Sequence, residues 1–258
     1  MTNQELRAGN HTIEVTHPDK VLYPHEGITK VQVVDYYRQV AATMGPHLRD
    51  RPLAEHRYPD GIEGPDFYQK NVPDYFPDWI PRVEVPNKGG GTSLHVRGNG
   101  AATLAYLASQ ACLTPHAWLS RADRLERPDR LIFDLDPAGN DLGLLRFAAR
   151  AVGDLVSELG LTPFLMTTGS RGYHVVVPLR RDQDFDTVRD FAHGVAERLA
   201  ERHPDSLTIE QRKEERRGRL FLDYLRNGYA QTSVAPYALR ARPGAPVATP
   251  LFWEELDD

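Results

Sequence analysis

Apolar residues recur at helical spacing through ITKVQVVDYYRQVAATM, residues 28–44, and Thr29 stands where that helix would be N-capped. The same period marks GAATLAYLASQAC, residues 100–112, a second helix that would hold Cys112. DLGLLRFAARAVGDLVSELG, residues 141–160, reads as a long amphipathic helix stopping at Gly160, and DFDTVRDFAHGVAERLAERH, residues 184–203, as another. LIFDLD, PFLMTT and HVVVPL, at 131–136, 163–168 and 174–179, are apolar, β-prone runs that predict strands, with shorter ones in LTIEQ, RLFLDY and TSVAPY. Between Arg57 and Gly91 the chain is dense in Pro, Gly, Asp and aromatic residues, which predicts loops and short strands. Helices and strands mix without strict βαβ alternation, so the class is α+β. No repeat, low-complexity segment or linker divides the chain. It reads as one domain over 1–258, with a possible N-terminal subdomain over 1–125 and a core over 126–258.

The strand in RLIFDLDP, residues 130–137, ends on two carboxylates one residue apart. Residues i and i+2 of a strand share a face, so Asp134 and Asp136 would stand side by side. Like charges that close repel, more so when partly buried. Either their ends lie in solvent or a cation sits between them. Taken alone, the pair reads more simply as a strand end running into an Asp-Pro turn.

Composition narrows the classes. The chain has 258 residues, 40% hydrophobic and 26% charged, which is ordinary for a soluble globular protein. It has no apolar run of about eighteen residues, so no membrane partner is expected. MTNQELRAGN lacks an apolar signal core, and the expected location is the cytoplasm. Cys112 is the single cysteine, which excludes an internal disulfide and a Cys-based zinc knuckle, so zinc is not expected. The net charge of −5 counts mildly against a bulk electrostatic nucleic-acid binder. Between Gln211 and Arg242, however, eight Lys/Arg less three acids leave +5, which suits either a polyanion site or a solvated face.

Two further stretches could meet the carboxylates. In TTGSRGYHVVVPL, residues 167–179, Gly169 and Gly172 would let backbone approach a ligand, and the turn's N–H groups with Arg171 could form an anion nest. Thr167, Thr168 and Ser170 supply hydroxyls, and His174 opens the next strand. An ordinary hairpin turn with a satisfied histidine is the simpler alternative. In RGRLFLDYLRN, residues 217–227, Asp223 again follows an apolar run. It could complete a carboxylate pocket for Mg²⁺ or Mn²⁺, or merely pair with Arg219 or Arg226.

In order, FDLDP, TTGSRGYH and FLDY resemble the three motifs of the archaeo-eukaryotic primase superfamily. THPDKVLYPHEGITK, HRYPDGIEGPDFYQKNVP, TPHAWLSR and PVATPLFWEEL extend the resemblance over nearly the whole chain, to the polymerase domain of bacterial DNA ligase D. The resemblance implies a primase-polymerase fold, with an RRM-like central sheet flanked by helices and extra strands on the N-terminal side. It implies a template-dependent nucleotidyltransferase that extends DNA 3′ ends and fills short gaps in non-homologous end joining, preferring ribonucleotides. By motif, Asp134, Asp136 and Asp223 would hold two divalent ions, Mn²⁺ or Mg²⁺. His116, Thr168, Gly169, Ser170, Arg171, His174, Arg226, Arg240 and Arg242 would bind the nucleoside triphosphate. Lys20 and Lys30 would grip a recessed 5′-phosphate, and Phe67 and Tyr68 would meet the template. Implied partners are DNA ends and gaps, a Ku-type end-binding protein and an ATP-dependent ligase, which would associate the chain with the nucleoid. The chain departs from the family's common residues at Thr168, Arg171 and Tyr68, where Ser, Lys and Phe are usual. Two other functions stay open: a non-catalytic module that binds 5′-phosphorylated ends, and a metal-dependent nuclease or phosphoesterase.

Overall fold

The computed structural model describes residues 3–137, 139 and 141–257. The chain divides into two units, Met1–Leu125 with Thr232–Ala248, and Glu126–Gln231 with Thr249–Asp258.

In the first unit the elements run β1 (Gln4–Ala8), β2 (His11–Val15), β3 (Val21–Tyr23), β4 (Ile28–Thr29), α1 (Lys30–Leu48), β5 (Leu53–Arg57), β6 (Phe67–Gln69), β7 (Arg82–Pro86), β8 (Thr92–Val96), α2 (Gly100–Ser109) and β9 (Cys112–Trp118). Short strands β10 (Ser120–Arg121) and β11 (Arg124–Pro128) lead out of it. The expected helix at 28–44 forms as α1, entered at Thr29, whose N–H is taken by the Gln32 side chain at 2.8 Å. Val33, Val34, Tyr37, Ala41, Met44 and Leu48 share its buried face.

The second expected helix ends earlier than its sequence suggests. Gln110 caps α2, and Ala111 turns left-handed at φ 60°. Cys112 therefore opens β9 instead of lying in a helix, and it is buried there. β5 and β9 form the centre of a four-stranded sheet, with β6 at one edge and a late strand, Thr232–Val234, at the other. Long-range hydroxyl bonds fix that late segment in the first unit. Tyr23 donates to the Arg240 carbonyl at 3.1 Å, Tyr36 to that of Tyr237 at 2.8 Å, and Thr114 to that of Leu239 at 2.7 Å.

The second unit is built on a six-stranded mixed sheet. It contains β12 (Arg130–Asp136), α3 (Leu142–Glu158), β13 (Phe164–Thr167), β14 (Tyr173–Pro178), α4 (Phe185–Arg202), β15 (Leu207–Thr208) and β16 (Leu220–Asp223). After β17 (Thr232–Val234), the late strand of the first unit, β18 (Pro250–Leu251) completes it. The strand order is β15-β16-β12-β14-β13-β18, and only β15 and β16 run parallel. Asp141 and Asp184 cap α3 and α4 through the N–H groups of Leu144 and Thr187. Leu131, Phe133 and Leu135 of β12, with Val175 and Val177 of β14, pack against Ala148 and Val152 of α3 and Ala192 and Val195 of α4. Strand alternation turns Asp134, Asp136, His174 and Asp223 to the opposite face. The core thus holds the sheet that carries the polar row, and Phe133→Ala would cost about 3–5 kcal/mol. Among the described residues no helix is long and apolar enough to cross a membrane.

Candidate active site

The register of three adjacent strands sets the site. Asp134 lies opposite His174 of β14 on one side and Asp223 of β16 on the other, and Asp136 follows two residues on, opposite Phe221. His174 Nε2 stands 3.4 Å from Asp134 Oδ1. Arg226 Nε lies 3.2 Å from Asp134 Oδ2 and 3.4 Å from Asp223 Oδ2. Arg226 thus bridges Asp134 and Asp223 across two strands, not Asp134 and Asp136, the pair for which the sequence suggests a cation. Arg219, the other partner considered for Asp223, instead donates to the carbonyls of Arg216, Glu215 and Pro204.

Arg226 is placed by its neighbours. It sits on a 3-10 turn, Leu225–Asn227, directly after β16. Asp223 Oδ1 accepts the Leu225 N–H at 2.8 Å. Asn227 is fully buried, and its amide accepts from the Ile132 N–H and donates to the Ile132 carbonyl, each at 2.8 Å. The amide continues the ladder along β12 where pairing with β16 has ended.

Burial pushes the Asp134 carboxyl up, but His174 and Arg226 together outweigh it and hold the group below the usual carboxylate range. Asp136 is pushed up by burial and by the Asp134 charge. Asp223 is pushed up by burial in spite of Arg226. Among the described residues no three His, Cys, Asp or Glu side chains form a ready-made metal cage. The donor set still suits hard divalent ions, since three carboxylates share a face and two of them are held above their ordinary range, by burial first. Among the described residues the buried His174 Nδ1 has no hydrogen-bond partner.

The turn between β13 and β14 abuts the end of β12. A Cβ on Gly172 would lie 2.2 Å from the Leu135 carbonyl oxygen and 3.3 Å from Asp136 Oδ1, so only glycine fits. Gly169 adopts φ 63°. Thr168 is buried, and its Oγ1 accepts the N–H groups of Gly172 at 3.2 Å and Ser170 at 3.3 Å. Two amides expected in an anion nest are therefore occupied by this hydroxyl, which acts inside the turn. Ser170 and Arg171 are exposed.

The remaining candidates lie in the first unit. Lys20, Lys30, His17 and Arg57 line a cavity of about 250 Å³. Lys30 is buried and donates to the Thr16 carbonyl at 2.8 Å, while Lys20 pairs with Asp60 at 2.6 Å. Burial first, then Lys20 and Arg57, push the Lys30 ammonium below its ordinary range. Phe67 and Tyr68 are exposed on β6. The Tyr68 ring stacks on His56 at 4.0 Å and meets His116 edge-on at 5.4 Å. Arg240 and Arg242 lie near enough to Tyr58 to favour its phenolate, against a larger effect of burial. Sequence alone does not single out Arg57, His17, His56, Gln69 or Asn227. Arg57 closes β5, whose sequence LAEHR lacks the alternation that would mark a strand.

A three-acid row stands on one face of this mixed sheet, and helices pack on the other. Residues 29–258 match the family model of the LigD primase-polymerase domain, and the chain belongs to that family. It is 36% identical over 260 residues to the multifunctional non-homologous end joining DNA repair protein LigD of Mycobacterium tuberculosis, covering 97% of this chain and 34% of that protein. Identity to the Pseudomonas aeruginosa LigD is 34% over 256 residues, covering 97% and 30%. The chain thus spans about a third of the length of these relatives. The polymerase domain of M. tuberculosis ligase D, solved in complex with DNA, superposes with a TM-score of 0.89 at 36% identity, over 95% of this chain and 88% of that one.

Proposed function

We propose that this chain extends DNA 3′ ends and fills short gaps bearing a 5′-phosphate during non-homologous end joining. The reaction is template-directed nucleotidyl transfer with ribonucleotides preferred. The observation that carries the reading is the row Asp223–Asp134–His174 across three strands, with Asp136 beside it. Asp134, Asp136 and Asp223 would hold two divalent ions, Mn²⁺ or Mg²⁺. Such ions, when bound, make the primer 3′-hydroxyl a better nucleophile and offset charge on the reacting phosphate. His174 and Arg171 would hold the incoming triphosphate, with Arg226 countering phosphate charge. His116, Arg240 and Arg242 keep their family roles toward the nucleotide as separate proposals. Lys20 and Lys30 would take the 5′-phosphate, and Phe67 and Tyr68 would stack on template bases, worth about 1–3 kcal/mol per base. The DNA in the M. tuberculosis complex, the basic cavity and the acidic row together support this reading. A Ku-type end-binding protein and a ligase remain the expected partners at cytoplasmic, nucleoid-borne breaks.

The test is primer extension across a short gap with a 5′-phosphate, in Mn²⁺, with ribonucleotides or deoxynucleotides supplied separately. Extension that favours ribonucleotides and disappears in Asp136→Ala is expected. Binding that depends on the 5′-phosphate without any extension would make the chain an end-binding module instead. Release of nucleotides from DNA in the absence of triphosphates would make it a nuclease.

A further inference from the structure

Arg57 lines the same cavity as Lys20 and Lys30, and its guanidinium is fixed from two sides. Nε donates to the Gln110 carbonyl at 2.8 Å, and Nη1 donates to Gln69 Oε1 at 2.7 Å and to the Tyr75 hydroxyl at 2.9 Å. Gln69 is held in turn by Glu55, its Nε2 donating to Oε2 at 3.1 Å. Nη2 makes no hydrogen bond among the described residues, so two N–H donors of a fixed fork remain. The same guanidinium lies 5.4 Å over the Phe67 ring.

Charge and geometry agree. A phosphate monoester carries about −1.5 to −2 at neutral pH. Lys20 is shared with Asp60, and Lys30 donates to the Thr16 carbonyl. Both ammonium groups have donors committed within the chain, and an arginine, always protonated, adds charge and free donors for the anion. The C-terminal end of α2, Ser109 to Ala111, also faces the cavity, where a free carbonyl would repel an anion. Arg57 Nε occupies the Gln110 carbonyl and removes that repulsion. Gln69 and Phe67, both on β6, also contact this guanidinium, beside the Tyr75 hydroxyl.

We propose that Arg57 is the third cation of the phosphate cavity and that, through Gln69 and Phe67, it couples occupancy of the cavity to the aromatic pair on β6. The inference rests on the reading of the cavity as a 5′-phosphate site. A phosphate engaging Nη2 fixes the guanidinium from a third side, and with it the strand that presents Phe67 and Tyr68.

The experiment uses a gapped duplex with 2-aminopurine in the template, with or without a 5′-phosphate on the downstream strand. Affinity is read by anisotropy and template stacking by 2-aminopurine fluorescence. Wild type should prefer the phosphorylated gap and show a phosphate-dependent fluorescence change. Arg57→Gln should lower the affinity ratio about tenfold, the value of one charged hydrogen bond. Arg57→Lys should keep most of the ratio and lose the fluorescence change. Gln69→Met, which leaves the arginine in place, should do the same and serves if the Arg57 variants fold poorly. A normal wild-type ratio that Arg57→Gln leaves unaltered overturns the third-cation role. A fluorescence change that survives in both Arg57→Lys and Gln69→Met overturns the coupling. A wild-type protein indifferent to the phosphate overturns the cavity reading itself, and the inference with it.

Discussion

In the second unit three carboxylates share a sheet face, with Arg226 between two of them. In the first, Lys20, Lys30 and Arg57 share a cavity, and Lys20 is paired with Asp60. Both clusters crowd like charges, and both show it in shifted ionisation. Asp136 and Asp223 are held up, and Lys30 is held down. They differ in how much of the charge is answered within the chain. The acidic row has a tethered counter-ion touching two of its three members, so an incoming metal must compete with it. The basic cavity carries a surplus of cations, and Asp60 answers only Lys20 among the described residues, so a phosphate competes with a carboxylate at one cation of three. Metal affinity is thereby moderated more than phosphate affinity.

The largest test separates the clusters. Asp136 makes no contact with Arg226 in the ion-pair network, so Asp136→Ala removes a donor and leaves the Arg226 bridge intact. Extension should fall about a thousandfold or more, as for loss of a group acting directly on transition-state charge. Preference for a 5′-phosphorylated gap should be unchanged in a binding assay. If Asp136→Ala lost that preference as well, the two clusters could not be treated as independent.

The acidic row was the part of the site most legible in the sequence. D-x-D at the end of an apolar run fixes two acids on one face from strand period alone. That Asp223 meets Asp134, and that Arg226 bridges them, depends on strand register, which no local pattern carries. Thr168 was legible as a turn hydroxyl but not as one used within the turn. Helices α1, α3 and α4 were readable from their caps and period. The first unit was much less so. β5 buries Glu55 among apolar neighbours, and six of the seven residues of β9 are buried on both faces, so neither strand alternates. The return of Thr232–Ala248 to that unit rests on tyrosine and threonine hydroxyls bonded to carbonyls far along the chain.

Glu55 sharpens the contrast, because it is an acid buried within the basic unit. Burial pushes its carboxyl up to about 8, with Arg57 opposing. The folded state therefore holds a proton that the unfolded chain releases near 4.5, and stability falls as pH rises from 4.5 to about 8. Glu55→Gln should remove that slope. It should match wild type near the lower bound and exceed it by about 5 kcal/mol once the pH passes the upper one. Urea melts at several pH values give the answer, and parallel pH profiles for the two proteins would refute the assignment.

Lys20→Ala combined with Lys30→Ala should cost roughly a hundredfold in preference for the 5′-phosphate, two charged hydrogen bonds' worth. Extension on a gap lacking the phosphate should be little affected. The comparison that matters is with Asp136→Ala. Each variant should lose what the other keeps, and equal losses on both substrates would point to a folding defect.

Arg226 offers the finest break, because it tests the moderated metal affinity directly. If its guanidinium and a divalent ion compete for Oδ2 of Asp134 and Asp223, then Arg226→Gln should tighten Mn²⁺ binding in the absence of nucleotide, by about tenfold for a single charge in a partly screened site. The same substitution leaves Asp134 and Asp223 without their tether, so the metal-free protein should melt earlier and gain more from added Mn²⁺ than wild type does. Polymerisation should nevertheless fall, since the proposed neutralisation of phosphate charge is lost. Tighter metal binding with slower catalysis is a combination that a simple loss of structure does not produce. Mn²⁺ binding followed by electron paramagnetic resonance reads the first effect without turnover. An affinity unchanged from wild type would mean that the guanidinium leaves the carboxylates at no cost, and the distinction between the two clusters would then rest on the phosphate cavity alone.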